Sequence, residues 1–242
     1  MWQDQTRCAQ GGMTALCAAS EQIRTFARTA QQIRAGTVIL QDGDEFDKVI
    51  LVVDGWLSSS KSFEDGEAQI IDFILPGDIL YATNGDGTTV GLTLEAITDA
   101  RVSIVPVRTW QTMLKASPDL ARAVGRIRAA AQARTSERLL RLGKGSAPMR
   151  IAFAILELSL RLRSLGHDME ETFHLPLTQK AIGDYTGLSS VHVCRTMRRL
   201  VRHNIIETSD HIDIRILDLA ALSEIAGIDV ERLEQEITPT AA

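Results

Sequence analysis

The hydrophobic period of this chain changes once, near residue 117, and that change limits what the chain can fold into. Up to that point the apolar residues come in short β-branched runs of strand length: 38–40, 48–61, 68–75, 89–97 and 101–107. Turn formers punctuate them: Gly36, Gly43, Asp54 with Gly55, Asp65 with Gly66, Pro76 with Gly77, and the 85–87 stretch. Many short strands at this spacing predict a small antiparallel roll or barrel. Ahead of them, residues 20–31 read as a short helix with Ile23, Phe26 and Ala27 on one face and Ser20 as its cap.

From Ser117 the pattern is helical. Ser117, Pro118 and Asp119 supply a capping hydroxyl, a proline at the first helical position and an acid in the first turn. Nothing stops this helix before Gly143. Leu120, Val124, Ile127 and Ala131 follow at 4-3-4 spacing, a seam suited to a partner helix. The helix is long for a roll of about 100 residues to cover. The seam is therefore expected to meet its copy in a second subunit, with Arg122, Arg126, Arg128, Arg134, Arg138 and Arg141 on the remaining surface. Gly143 and Gly145 break the helix, and Ser146 and Pro148 start a buried one that Gly166 ends.

The net charge of −5 hides an uneven distribution: residues 1–100 carry −9, 101–143 carry +7 and 144–216 carry +2. An acidic front and a basic middle suit a chain of which only one part approaches phosphates. No apolar run nears the ~20 residues of a membrane span, and the N-terminus lacks the order of a secretory signal. A cytoplasmic location is expected. Cys8, Cys17 and Cys194 are too few and too scattered for a disulfide framework.

The informative segment is LTQKAIGDYTGLSSVHVCRTMRRLVRHNII, residues 177–206. Thr178 caps a helix carrying Ala181, Ile182 and Tyr185. Gly187 bends the chain and Leu188 plugs the corner. Ser189 caps a second helix, whose inner face is read as Val193, Met197 (or Thr196), Leu200 and Val201. Two short helices joined by a Gly-containing turn form a helix-turn-helix, whose second helix enters the major groove. Its outer surface carries His192, Arg195, Arg198, Arg199, Arg202 and His203 and no acid. IIETS and HIDIRI then flank Ser209 and Asp210 as a β-hairpin wing.

This segment resembles the winged helix of the Crp/Fnr transcription regulators. GTVILQDGD, LVVDGWL, SSSKSFEDGEAQI and LPGDIL resemble that family's β-roll, and SAPMRIAFAILELSLRLRSLG its hinge and first DNA-domain helix. The likeness spans roughly residues 20–215. It implies an α+β chain, with an antiparallel jelly-roll-like β-roll, a long dimerisation helix and a C-terminal winged helix-turn-helix. The expected parts are a flexible segment at 1–19, the sensor roll at 20–116, the dimerisation helix at 117–143, the DNA-binding domain at 144–222 and a loosely held acidic tail at 223–242. It further implies a homodimer on a two-fold symmetric DNA site, in contact with RNA polymerase.

In the family's Glu-x-x-x-Arg recognition pattern, Arg195 stands at the arginine that contacts guanine, and Val191 replaces the glutamate. Val191 cannot accept a hydrogen bond from a base and is expected to pack on a thymine methyl. Thr178, Gln179, Lys180, Ser189, Ser190, Val191, His192, Cys194, Arg195, Arg198, Arg199 and Arg202 are the expected DNA-facing residues. Arg198, Arg199 and Arg202, further from the helix start, are assigned to phosphate or solvent. Cys194 beside Arg195 is a candidate redox-sensitive thiol; a small filler where Ser would serve is the favoured reading.

Family members that bind cyclic nucleotides carry a Gly-Glu pair followed by an arginine for the phosphate. Here Asp78 replaces the glutamate, and no Lys or Arg lies between Gly77 and Asp99. Control by cyclic AMP is not expected. An iron–sulfur centre needs four thiolates, and only Cys8 and Cys17 precede Cys194. Haem and cupin-type metal chemistry both want histidines, and all five (167, 174, 192, 203, 211) lie in the C-terminal part. An enzyme built on the roll is disfavoured for the same reason. No cofactor or metal is expected. An unidentified small apolar or neutral effector, a partner protein, or no ligand remain, and a ligand-gated regulator stands as the alternative.

Overall fold

The computed structural model describes residues 12–81, 88–166, 173–209 and 213–239, which fall into two compact units: the second comprises Ala129–Thr238 together with the short stretch Glu67–Ile70, and the first the remainder. The first opens with helices α1 (Gly12–Ala19) and α2 (Glu21–Arg28). Eight strands follow: β1 (Gln31–Ile33), β2 (Val38–Leu40), β3 (Lys48–Asp54), β4 (Leu57–Ser62), β5 (Ala68–Ile74), β6 (Ile79–Tyr81), β7 (Thr93–Ala96) and β8 (Ala100–Pro106). They form two four-stranded sheets, ordered β1-β8-β3-β6 and β2-β7-β4-β5. Helix α3 (Val107–Ala116) and the start of α4 (Pro118–Lys144) complete the unit.

The run KVILVVD explains how the roll is layered. A continuous apolar strand is one buried on both faces. Ile50 and Val52 meet Leu40, Leu57, Ile74 and Leu94 of the opposite sheet. Val49 and Leu51 turn the other way, onto Ile23, Trp110, Leu120 and Ile127 of the helices. Gly55 turns β3 into β4 at φ 79°, and a side chain there would collide with the backbone of Asp99 and Ala100.

Three expectations fail in this unit. Residues 12–19 of the segment expected to be flexible form α1, because Met13, Leu16 and Cys17 are buried in the helical side of the core; residues 1–11 lie outside the described residues. Ser20 sits at the cap position of α2, but its side chain accepts no capping hydrogen bond. The largest correction concerns the dimer seam. Leu120, Val124 and Ile127 are each at most 3 % exposed, packed against their own roll, and Ala131 is half-buried. A 4-3-4 stripe marks a buried face without saying which surface buries it.

The second unit contains the rest of α4, then α5 (Ala147–Ser164), β9 (Phe173–His174), α6 (Gln179–Thr186), α7 (Ser190–Arg202), β10 (Ile206–Ser209), β11 (Asp213–Ile216), α8 (Leu219–Ala226) and α9 (Val230–Ile237). Ser146 caps α5 by accepting from the Met149 amide, and α5 is buried throughout from Ile151 to Leu162. Residues 223–239, expected as a loose acidic tail, instead complete α8 and form α9. Asp218 and Asp229 cap the two helices at 2.9 and 3.0 Å, and Leu222, Ala226, Leu233 and Ile237 are buried. Both helices contact α5. Three arginines expected on the solvated surface of α4 are buried as well. Arg134 donates to the Ile237 carbonyl and Arg141 to those of Ala226 and Gly227, while Arg138 meets Tyr185.

Candidate nucleic-acid interface

Thr178 caps α6, accepting from the Ala181 amide at 3.1 Å. The helix ends at Gly187, left-handed at φ 64°. The Leu188 amide reaches back to the Gly183 carbonyl at 3.0 Å. At Gly183 itself a Cβ would collide with the Leu188 carbonyl oxygen, so the corner closes only over a glycine. Ser189 then caps α7, accepting from the His192 amide at 3.4 Å, and its hydroxyl lies 2.9 Å from His192 Nδ1. These caps fix where the recognition helix starts, and therefore which side chains its first two turns present.

At about 100° per residue, Val193, Thr196 and Leu200 fall on one line and are buried. Thr196 takes the inner position, Met197 is half-buried and Val201 is exposed, which corrects the expected inner face at Val201. The opposite arc exposes Ser190, Val191 (64 %), His192, Arg195, Arg198, Arg199 and Arg202. Among the described residues no carboxylate pairs with any of these four arginines. Lys180, exposed on α6, pairs with Asp184 at 2.5 Å. Cys194 is half-buried at the edge of a groove also lined by Gln179, Arg198 and Thr208. Gln179 of α6 thus lines the same groove as Cys194, Arg198 and Arg202 of α7, while Thr178 and Lys180 are exposed on the α6 side.

After α7 the chain turns through Asn204 at φ 55°, with the Ile205 amide bonded to the Leu200 carbonyl at 3.0 Å. The wing strands pair antiparallel, Ile206 opposite Ile216 and Ser209 opposite Asp213. Residues 210–212, which include Asp210 and His211 of the expected turn, lie outside the described residues. A third strand that sequence reasoning missed, β9, pairs Phe173 with Ile214 and His174 with Asp213. Two residues carry no readable period; the signal was Phe173 itself, an aromatic buried with Ile206 and Ile214. His174 Nδ1 lies 2.5 Å from Asp213 Oδ1, and this bond holds the Asp213 carboxyl below its ordinary range. The contribution of the pair is present at neutral pH and is lost as pH falls through that lowered value.

In the roll, Asp78 is committed to its own turn. Its carboxylate accepts from the Leu75 amide at 2.8 Å, and its amide donates to the Leu75 carbonyl at 2.9 Å.

Residues 149–225 match the family described as the Crp-like helix-turn-helix domain, and residues 30–117 match the cyclic nucleotide-binding domain. The chain is 26% identical over 232 residues to the transcriptional activator protein FnrA of Stutzerimonas stutzeri, covering 93% of this chain and 94% of that one. It is 29% identical over 224 residues to the transcriptional activator protein FnrL of Cereibacter sphaeroides, covering 89% of each. Among solved structures, FixK2 from Bradyrhizobium japonicum superposes with a TM-score of 0.67 at 25% identity, over 88% of this chain and 99% of that one. Among the described residues no helix is long and apolar enough to cross a membrane. With both matched domains in this order and a basic recognition helix in the second, the chain belongs to the Crp/Fnr family and is a transcription regulator, with a DNA-binding helix-turn-helix and a cyclic nucleotide-binding-like domain.

Proposed function

We propose that the protein binds an inverted-repeat operator as a homodimer, reads each half-site through Arg195, and does so without control by cyclic AMP. The observation that carries this is the exposed arc of α7, where four arginines have no carboxylate partner among the described residues and stand ready for phosphate and base edges. Arg195 lies nearest the capped start of the helix, where side chains reach bases. Arg198, Arg199 and Arg202 lie further along and serve as phosphate contacts, with Thr178, Gln179 and Lys180 at the flank on α6.

The family binds DNA typically as dimers. With Leu120, Val124 and Ile127 occupied by their own core, the surface of α4 we assign to the partner is its exposed arc: Ala121, Gly125, Arg128, Gln132, Ser136 and Leu139. These fall within about 80° of one another at 100° per residue, and Leu139 is 68 % exposed. RNA polymerase is the second macromolecular partner. Phe63, 75 % exposed in the acidic turn between β4 and β5, is a surface open to it.

The case against cyclic AMP is chemical. A phosphodiester needs a cation, and residues 78–98 contain none, while Asp78 adds a negative charge that its own turn already uses. The apolar packing between the two sheets favours, as the second reading, an uncharged effector. Calorimetric titration of a selected operator duplex, with and without millimolar cyclic AMP, tests both halves of the proposal. The expected result is two chains per duplex and a Kd unchanged by the nucleotide. One chain per duplex removes the dimer, and a tightening of about tenfold (~1.4 kcal/mol) or more removes the sensor reading.

A further inference from the structure

DNA contact leaves one buried charged cluster of the second unit unexplained. Glu157, midway along α5, is fully buried. The Tyr185 hydroxyl of α6 donates to Glu157 Oε2 at 2.7 Å. Arg161, one turn further along α5, donates to Glu157 Oε1 at 3.3 Å. Arg138 of α4 lies 3.7 Å from Oε2, donates to the same Tyr185 hydroxyl, and stacks its guanidinium 4.5 Å from the centre of the Tyr185 ring. The phenol thus accepts from α4 and donates to α5 at once. One carboxylate joins three helices, and one of them is the first helix of the helix-turn-helix.

The flanking arginines of α4 repeat the arrangement. Arg134 and Arg141 donate to carbonyls at the C-termini of α9 and α8, at 3.3 and 3.1 Å, where a cation suits the helix dipole. The corner between α4 and α5 is also closed, with Arg150 Nε bonded to the Gly145 carbonyl at 3.0 Å. The C-terminal half of α4 is therefore a built part of the DNA-binding unit.

A buried ionic cluster of this kind adds little stability over apolar side chains of the same volume. What it has that an apolar contact lacks is direction: donors and acceptors meet in one arrangement, whereas methyl groups slide. We propose that the tie of Arg138, Tyr185 and Glu157 is a positioning device that fixes the angle of α6 on α4, and through it the half-site spacing that a dimer reads. The inference rests on the dimeric reading above. In a dimer built along α4, that angle sets where each α7 lies relative to the two-fold axis. One added base pair turns a half-site by about 35° and moves it about 3.4 Å, which a fixed angle cannot follow.

The test is binding to a series of operators whose half-sites are moved closer or further apart by one base pair. The full-length dimer is expected to lose at least about 30-fold in affinity (~2 kcal/mol) for either change. Tyr185→Phe keeps the ring and its stacking and loses only the hydroxyl. It should hold the affinity for the optimal operator within about threefold and cut the spacing penalty to below about fivefold (~1 kcal/mol). A simple loss of stability would weaken all operators alike and leave their ratio unchanged. Arg138→Met is expected to act in the same direction, and if it does not fold, Tyr185→Phe decides alone. A sharp wild-type preference that Tyr185→Phe retains overturns this inference and leaves the dimeric reading standing. A wild-type protein with no spacing preference overturns both.

Discussion

Arg195→Ala is expected to weaken operator binding by about 1–3 kcal/mol per half-site, so about 2–6 kcal/mol for a dimer, and to erase preference at one base pair in each half. The guanidinium stands on the exposed arc of α7, in the second turn after the Ser189 cap, with Val193 and Thr196 holding the helix by its other side. An arginine fork matches guanine O6 and N7, which no other base pair presents in that pattern. Val191, exposed one turn earlier, should favour thymine through its methyl group. Arg202→Ala should behave differently. It should weaken all sequences alike and lower the salt slope by about one per half-site, as the loss of a phosphate contact does. Competition binding against operators substituted at each position separates the two. If Arg195→Ala weakens every sequence evenly, Arg195 is a phosphate anchor and the assigned register of the recognition helix is wrong.

The second large effect follows from the corrected face of α4. Ile127 is 3 % exposed in the core that also holds Val49, Leu51 and Trp110. Ile127→Asp removes those contacts and places a carboxylate among the buried apolar side chains of that core. The expected cost is at least about 4 kcal/mol, a large part of the ~5–15 kcal/mol that holds a typical domain together. The melting temperature should fall by more than about 10 °C. Leu139→Asp changes an exposed position, and the protomer should keep its near-ultraviolet circular dichroism while sedimenting as a monomer that no longer retains operator. A folded, thermally unaltered Ile127→Asp monomer would return the seam to the dimer interface.

These two residues show what the sequence could and could not convey. The apolar period of α4 was readable, but a stripe at 4-3-4 spacing looks the same whether its own domain or a partner covers it. Arg134, Arg138 and Arg141 follow a similar 4-3 spacing and read as a solvated surface. Their burial depends on carbonyls at the ends of α8 and α9 and on Glu157, groups 19 to 103 residues away along the chain. The helix-turn-helix was legible because its determinants are local: Thr178, Gly187 and Ser189 act within four residues of themselves. The C-terminal helices had equally local signals in Asp218, Gly227 and Asp229, but the density of acids around them read as an unfolded tail. On α7 the inner face was placed correctly at Val193 and Leu200. The pattern left Met197 and Thr196 as alternatives, of which helix geometry buries Thr196, and it slipped at Val201, an apolar side chain that lies exposed at the helix's far end.

Whether this chain reads an inverted repeat through two copies of α7 is decided by selecting duplexes from a random pool with the full-length protein and sequencing those retained. The expected consensus is two-fold symmetric, with half-site centres one helical turn apart, ~34 Å. Each half should contain one G·C pair that disappears from the consensus when Arg195→Ala replaces the wild type. Retention of single, unpaired half-sites, or of duplexes with no common sequence, would contradict it.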